Sequence, residues 1–104
     1  MALFYFKKIN QEEEIIKLGN LFATRRIEDL MMEYTEFRDD VNSALNRFLY
    51  NDWGIVRSED ACANDEAIVF GGRVKAEYNT CKGRIWIISE KQRKYSTILF
   101  PSEY

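Results

Sequence analysis

Arg73-Val74-Lys75-Ala76-Glu77-Tyr78, Cys81-Lys82-Gly83, Arg84-Ile85-Trp86-Ile87-Ile88-Ser89-Glu90 and Ser96-Thr97-Ile98-Leu99-Phe100-Pro101 follow one another with little chain between them. In the first segment Val74, Ala76 and Tyr78 alternate with Arg73, Lys75 and Glu77. That is the period-2 pattern of a strand with one buried and one wet face. Ile85 to Ile88 is apolar without a break and reads as a central strand covered on both sides. Cys81-Lys82-Gly83 suits a hairpin loop, and Lys91 to Lys94 forms a second, basic turn. Pro101, the sole proline, ends the third strand because it has no N–H to give to a ladder. Three strands joined by short turns make an antiparallel meander.

Upstream of the meander the apolar spacing changes to that of helices. Ser58 opens one helix, with Glu59 and Asp60 in its first turn, where carboxylates suit the helix dipole; Gly71 and Gly72 stop it. Val41, Ala44, Leu45, Phe48 and Leu49 form the cleanest amphipathic stripe in the chain, with Asp39 or Asp40 expected as its cap. Asn51 and Gly54 end it, both tolerating left-handed backbone. Ile27, Leu30, Met31 and Tyr34 mark an earlier helix capped by Thr24. The stretch Ile15 to Ala23 suits a helix or an extended entry segment, and Gly19 weakens the helix. Residues 3–9 read as a further short strand. The expected architecture is a single α+β domain spanning 1–104, with three helices packed on one face of a three- or four-stranded antiparallel meander.

A chain of 104 residues with 46% apolar and 31% charged residues is ordinary for one soluble domain. Thirteen Phe or Tyr and two Trp supply bulky core material without metal or disulfide staples. No run approaches the roughly 18–20 apolar residues needed to span a bilayer, and residues 1–8 lack the arrangement of a secretory signal. A cytoplasmic location follows as the expectation, with Cys62 and Cys81 as free thiols. The net charge of −2 speaks against a general nucleic-acid binder. Histidine is absent, which removes the commonest general base and metal ligand. No nucleophile triad, GxGxxG or phosphate-binding loop appears. A non-enzymatic protein without cofactor or metal is therefore expected.

The candidate site residues each carry two readings. Trp53, in Asn51-Asp52-Trp53-Gly54, suits a core anchor bonded to a local carbonyl, or a partly exposed recognition residue. Asp60 and Asn64 lie one helical turn apart, placed to bond the turn around Trp53 or to contact a ligand. Arg84, Trp86 and Glu90 share a strand face; Arg84 either stacks on Trp86 or forms a cross-strand ion pair, and Glu90 is expected to pair with Arg93. Arg25-Arg26 and the turn Lys91, Arg93 and Lys94 would touch phosphates if they met on one side. The clusters Glu12-Glu13-Glu14 and Glu59, Asp60, Asp65 and Glu66 would imitate a phosphate backbone on a basic partner groove. A solvated charged surface is the plainer explanation of both.

Read together, Leu18-Gly19-Asn20-Leu21-Phe22-Ala23-Thr24, Asp52-Trp53-Gly54, Asp60, Asn64, Ala67, Tyr78, Arg84-Ile85-Trp86-Ile87-Ile88-Ser89-Glu90, Arg93 and Thr97 to Tyr104 resemble a family of small bacterial proteins of plasmids, phages and other mobile elements. The resemblance covers about residues 17–104. Its most specific motifs are Asp-Trp-Gly, Arg-Ile-Trp-Ile and the final Pro101-Ser102-Glu103-Tyr104. Asn51 stands where the family often has Gly, and Arg25-Arg26 where it often has Pro-Gly. The resemblance implies a binding role as an inhibitor of a host defence nuclease or CRISPR effector, of the anti-CRISPR or anti-restriction type. The alternative is a nucleic-acid-binding accessory protein for plasmid or phage maintenance. Neither involves a membrane.

Overall fold

The computed structural model describes the backbone of residues 2–3 and all of residues 18–104. The chain runs β1 (Ala2–Leu3), β2 (Asn20–Ala23), α1 (Arg25–Glu33), α2 (Thr35–Leu49), α3 (Ser58–Phe70), β3 (Val74–Thr80), β4 (Gly83–Ser89) and β5 (Tyr95–Leu99). Most of the strand expected over 3–9 lies outside the described residues, as does Glu12-Glu13-Glu14; Leu3 lies in β1. The α+β class and the three helices agree with expectation. Among the described residues, no helix is long and apolar enough to cross a membrane.

The sheet departs from a pure antiparallel meander. Its order is β1-β2-β5-β4-β3. The pairs β3–β4, β4–β5 and β1–β2 are antiparallel, but β2 runs parallel to β5, Asn20 opposite Tyr95 and Ala23 opposite Ile98. All three helices and the β3–β4 hairpin lie between these two strands in sequence. That connection is long enough to return the chain in the same direction. The extended reading is thus the correct one for Asn20–Ala23, while residues 15–17 of that segment lie outside the described residues. Gly19 has φ +66°, and a Cβ there would lie 2.2 Å from the carbonyl oxygen of Arg93. The buried Ser96 hydroxyl donates to the Leu18 carbonyl at 2.7 Å and shares a second bond with the Ser89 hydroxyl at 2.9 Å.

The core sits on one face of the sheet. Val74, Ala76 and Tyr78 of β3, Ile85 and Ile87 of β4 and Ile98 of β5 meet Ile27 and Met31 of α1 and the stripe of α2. Thr24 caps α1, its Oγ1 accepting from the Ile27 N–H at 3.3 Å. The expected cap of α2 at Asp39 or Asp40 is wrong: α2 begins at Thr35, with only Tyr34 between it and the end of α1. Phe37, fully buried, extends the stripe one turn toward the N-terminus, and the polar residues around it form the solvent side. The Asp40 carboxylate instead accepts from the backbone N–H of Cys81 at 2.8 Å, holding the hairpin loop against α2. α3 opens at Ser58 and ends at Gly71, φ +78°, as expected. It is less apolar in its packing than its composition suggests: Cys62, Val69 and Phe70 are exposed, so Cys62 is not a core residue.

Candidate functional site

Two surfaces of β3 organise the charged and aromatic side chains. Its two-residue loop, Cys81-Lys82, sets a register in which Thr80 faces Gly83, Glu77 faces Trp86 and Lys75 faces Ile88. The residues alternating with Val74, Ala76 and Tyr78 therefore gather with Arg84 and Trp86 on the sheet face away from α1 and α2.

On that face the Trp86 indole is held from three sides. Its Nε1–H donates to Glu77 Oε1 at 2.7 Å, the Lys75 ammonium lies 3.8 Å from the ring centroid, and Tyr104 packs edge-on at 5.5 Å. The other Glu77 oxygen accepts from Arg84 at 3.1 Å. Arg73 donates to the Tyr104 hydroxyl at 2.9 Å and pairs with Glu90 at 3.3 Å. These bonds hold the Arg73 guanidinium protonated above its ordinary range against the opposing effect of burial. The face thus carries three cations, Arg73, Lys75 and Arg84, against two carboxylates, Glu77 and Glu90, on a chain whose total is −2.

The second surface is the outer edge of β3, where unpaired backbone would invite edge-to-edge association. Two elements occupy it. The Asn64 side chain of α3 donates to the Lys75 carbonyl at 2.9 Å and accepts from the Lys75 N–H at 3.3 Å. The loop 52–55 adds a parallel bridge, Gly54 beside Glu77. There the Ile55 N–H donates to the Glu77 carbonyl at 2.8 Å and the Glu77 N–H to the Trp53 carbonyl at 3.2 Å.

The Asp-Trp-Gly sequence explains that loop. One Asp52 oxygen accepts from the Gly54 N–H at 3.1 Å, an Asx-turn, and Arg47 grips the same carboxylate at 2.7 and 3.1 Å. The Arg47 bond holds the Asp52 carboxyl below its usual range. The Tyr78 hydroxyl donates to the Asp52 carbonyl at 2.7 Å, and burial pushes that phenol well above its ordinary pKa. Trp53 is buried against Phe48, and its indole donates to the Asp65 carboxylate at 2.9 Å.

The sequence-derived site residues therefore divide. Trp53 is a core anchor, but its partner is the side chain of Asp65 and not a local carbonyl. Asn64 bonds β3, not the turn around Trp53, because it faces the strand edge. Asp60 sits apart, in an exposed pair with Arg57 at 3.7 Å. Arg84, Trp86 and Glu90 do share a face, yet Lys75 rather than Arg84 covers the indole, while Arg84 makes the cross-strand ion pair. Glu90 pairs with Arg73, not with Arg93. Arg93 turns inward, donating to the carbonyls of Gly72 at 2.6 Å, Ser89 at 3.2 Å, Ala67 at 3.3 Å and Glu90 at 3.3 Å. It thereby clamps the negative end of α3, and burial lowers its pKa. The two basic stretches do not meet. Arg25 follows the C-terminal end of β2, and Lys94 precedes the N-terminal end of the parallel β5, which puts them at opposite ends of the sheet, roughly 15 Å apart along the strands.

Arg73, Lys75, Glu77 and Tyr104 belong to the face but were not singled out from sequence. Their signal was present: the alternation in 73–78 puts the first three on the wet side, and a two-residue hairpin loop brings Glu77 opposite Trp86. Replacing Arg93 by Met, which keeps the aliphatic stem but removes the guanidinium donor from four carbonyls, of which Ala67 and Glu90 retain backbone donors, is expected to cost about 2–3 kcal/mol. Urea denaturation checks this; a loss below about 0.5 kcal/mol, the range of ordinary surface changes, would refute the clamp. Comparisons with protein-family models, with curated proteins and with solved structures find no significant match.

Proposed function

We propose that this chain is a non-enzymatic binding protein that occupies the surface of a host defence complex, in the manner of an anti-CRISPR or anti-restriction protein, and that the face around Trp86 makes the contact. The observation that carries the binding half is the state of Trp86: an indole on β4 held by Glu77 and Lys75 of β3 and by Tyr104. Trp, Tyr and Arg are the residues that dominate binding energy at protein interfaces. Side chains already locked in place lose little further freedom on association. The defence half is supported by the resemblance to proteins of mobile elements. The charge balance favours a protein partner, since two basic stretches at opposite ends of the sheet make no continuous track for a phosphate backbone.

The experiment is co-purification of the tagged chain from a bacterial host carrying a defence system, paired with phage or plasmid survival on expression. Wild type is expected to retain a defence component and raise survival. Trp86→Ala, verified as folded by circular dichroism, is expected to weaken retention by about thirtyfold, the size of a hot-spot loss. Recovery of no defence component together with unaltered survival would sink the proposal. Steeply salt-dependent binding of DNA in a gel shift would favour the plasmid-maintenance alternative instead.

A further inference from the structure

We infer that the Trp86 face takes an extended acidic segment of its protein partner, carboxylates at alternate positions, and that Lys75 selects it. This rests on the reading of the face as a binding surface and adds the chemistry of what it binds. Both carboxylates on the face are already engaged, Glu77 by Arg84 and Trp86, and Glu90 by Arg73. Lys75 differs. Its ammonium rests on the indole at 3.8 Å, and among the described residues no carboxylate pairs with it. A cation over a ring face keeps its N–H donors free for an acceptor arriving from solvent. The Arg84 side chain is 65% exposed and spends one of its nitrogens on Glu77, leaving further donors free.

The spacing selects the shape of the guest. Lys75 lies on β3, and Arg73 immediately precedes that strand, two positions from Lys75 on the side that carries Tyr104 and Glu90; alternate positions along a strand repeat at roughly 6.6–6.8 Å. The alternate side chains of an extended peptide repeat at the same interval. An acidic segment laid along β3 would bring one carboxylate to Lys75 and the next toward Arg73, with Trp86 beneath. Nucleic acid fits less well. The upper face of the indole is occupied by Lys75 and one side by Tyr104, so a base could stack only by displacing the ammonium. Moreover, the uncompensated charge of the face is a single positive unit, whereas phosphate recognition draws on many contacts.

The test titrates the isotope-labelled full chain with a short peptide of alternating glutamate and serine, with its glutamine counterpart, and with oligothymidine, following the Trp86 indole N–H by NMR. The acidic peptide is expected to shift that signal with an affinity that falls as salt rises, and the glutamine peptide to leave it in place. Lys75→Glu is expected to weaken binding by about thirtyfold or more, whereas Lys75→Arg retains it. The Lys75 side chain is exposed and its backbone bonds to Asn64 are untouched, so the variant keeps the fold. No shift with the acidic peptide at low salt, unchanged affinity in Lys75→Glu, or tighter binding of oligothymidine would each overturn the inference. If a partner is captured in a manner that Trp86→Ala abolishes but Lys75→Glu does not, the face stands as a binding surface and the acidic guest falls. If neither substitution matters, the functional reading falls with it.

Discussion

Gly54→Ala is expected to destabilise the protein by roughly 3–4 kcal/mol. About 1–2 kcal/mol comes from holding a residue with a Cβ in left-handed backbone, and about 1 kcal/mol from each of two backbone hydrogen bonds. Gly54 has φ +76°, and a Cβ there would lie 1.9 Å from the Glu77 carbonyl oxygen and 2.7 Å from the Tyr78 ring. Neither can yield, since that oxygen accepts from Ile55 and the Tyr78 ring is in the core. The loop must leave the strand, and both bonds to Glu77 go with it. Gly71→Ala is the control. Its φ is nearly the same, +78°, but the nearest atom to an added Cβ is Gln92 Cγ at 3.8 Å. It should cost only the backbone term of about 1–2 kcal/mol. Equal midpoints for the two variants in denaturant would show that the close approach to β3 contributes nothing.

Trp53→Ala should be larger still, about 3–5 kcal/mol, the range for deleting a large aromatic from a core. Against a total of about 5–15 kcal/mol for a typical domain, this leaves little native population at elevated temperature. Trp53→Phe separates the contributions. It keeps a ring against Phe48, whose centroid is 5.3 Å away, and removes the N–H that reaches Asp65. Asp65 returns to water, so the loss specific to the hydrogen bond is near 1 kcal/mol. Thermal unfolding by circular dichroism would rank the two, and a Phe variant as damaging as Ala would mean that the bond to α3, not the packing, holds the loop.

These two positions also show what the sequence can and cannot disclose. Asp-Trp-Gly announces a tight turn because Asp bonds its own backbone two residues on and Gly tolerates positive φ, both local effects. That Trp53 reaches Asp65 depends on how α3 is set against β3, and no spacing encodes that. The same division runs through the fold. Val74, Ala76 and Tyr78 revealed their buried face by alternation, and Thr24 revealed itself as a cap. The parallel neighbour of β5 was invisible, because Leu21 and Ala23 offer two buried positions within a four-residue strand, too few to set a period or a partner. The start of α2 was missed because Phe37 stands alone among polar residues, and only its distance of four from Val41 joins it to the stripe. At the site, Arg93 looked like a surface cation by composition. Its inward turn follows from positive φ at Gln92 and Arg93 themselves, which residue type alone does not foretell.

The placement of β5 has a bearing on how the molecule assembles. It is the common neighbour of β2 and β4, yet the ribosome makes it after both. The hairpin of β3 and β4 closes over two residues and can form while the nascent chain is still growing. β2, paired on one side with β1, has to wait for its parallel partner 75 positions downstream, as Asn20 faces Tyr95. A chain interrupted before Tyr95 would leave two separate antiparallel pairs, β1–β2 and β3–β4, with no strand between to unite them. Late docking of so distant a pair is expected to limit the rate of acquiring the native state. Until it happens, the exposed flank of β4 is the place where a nascent copy would most readily join another.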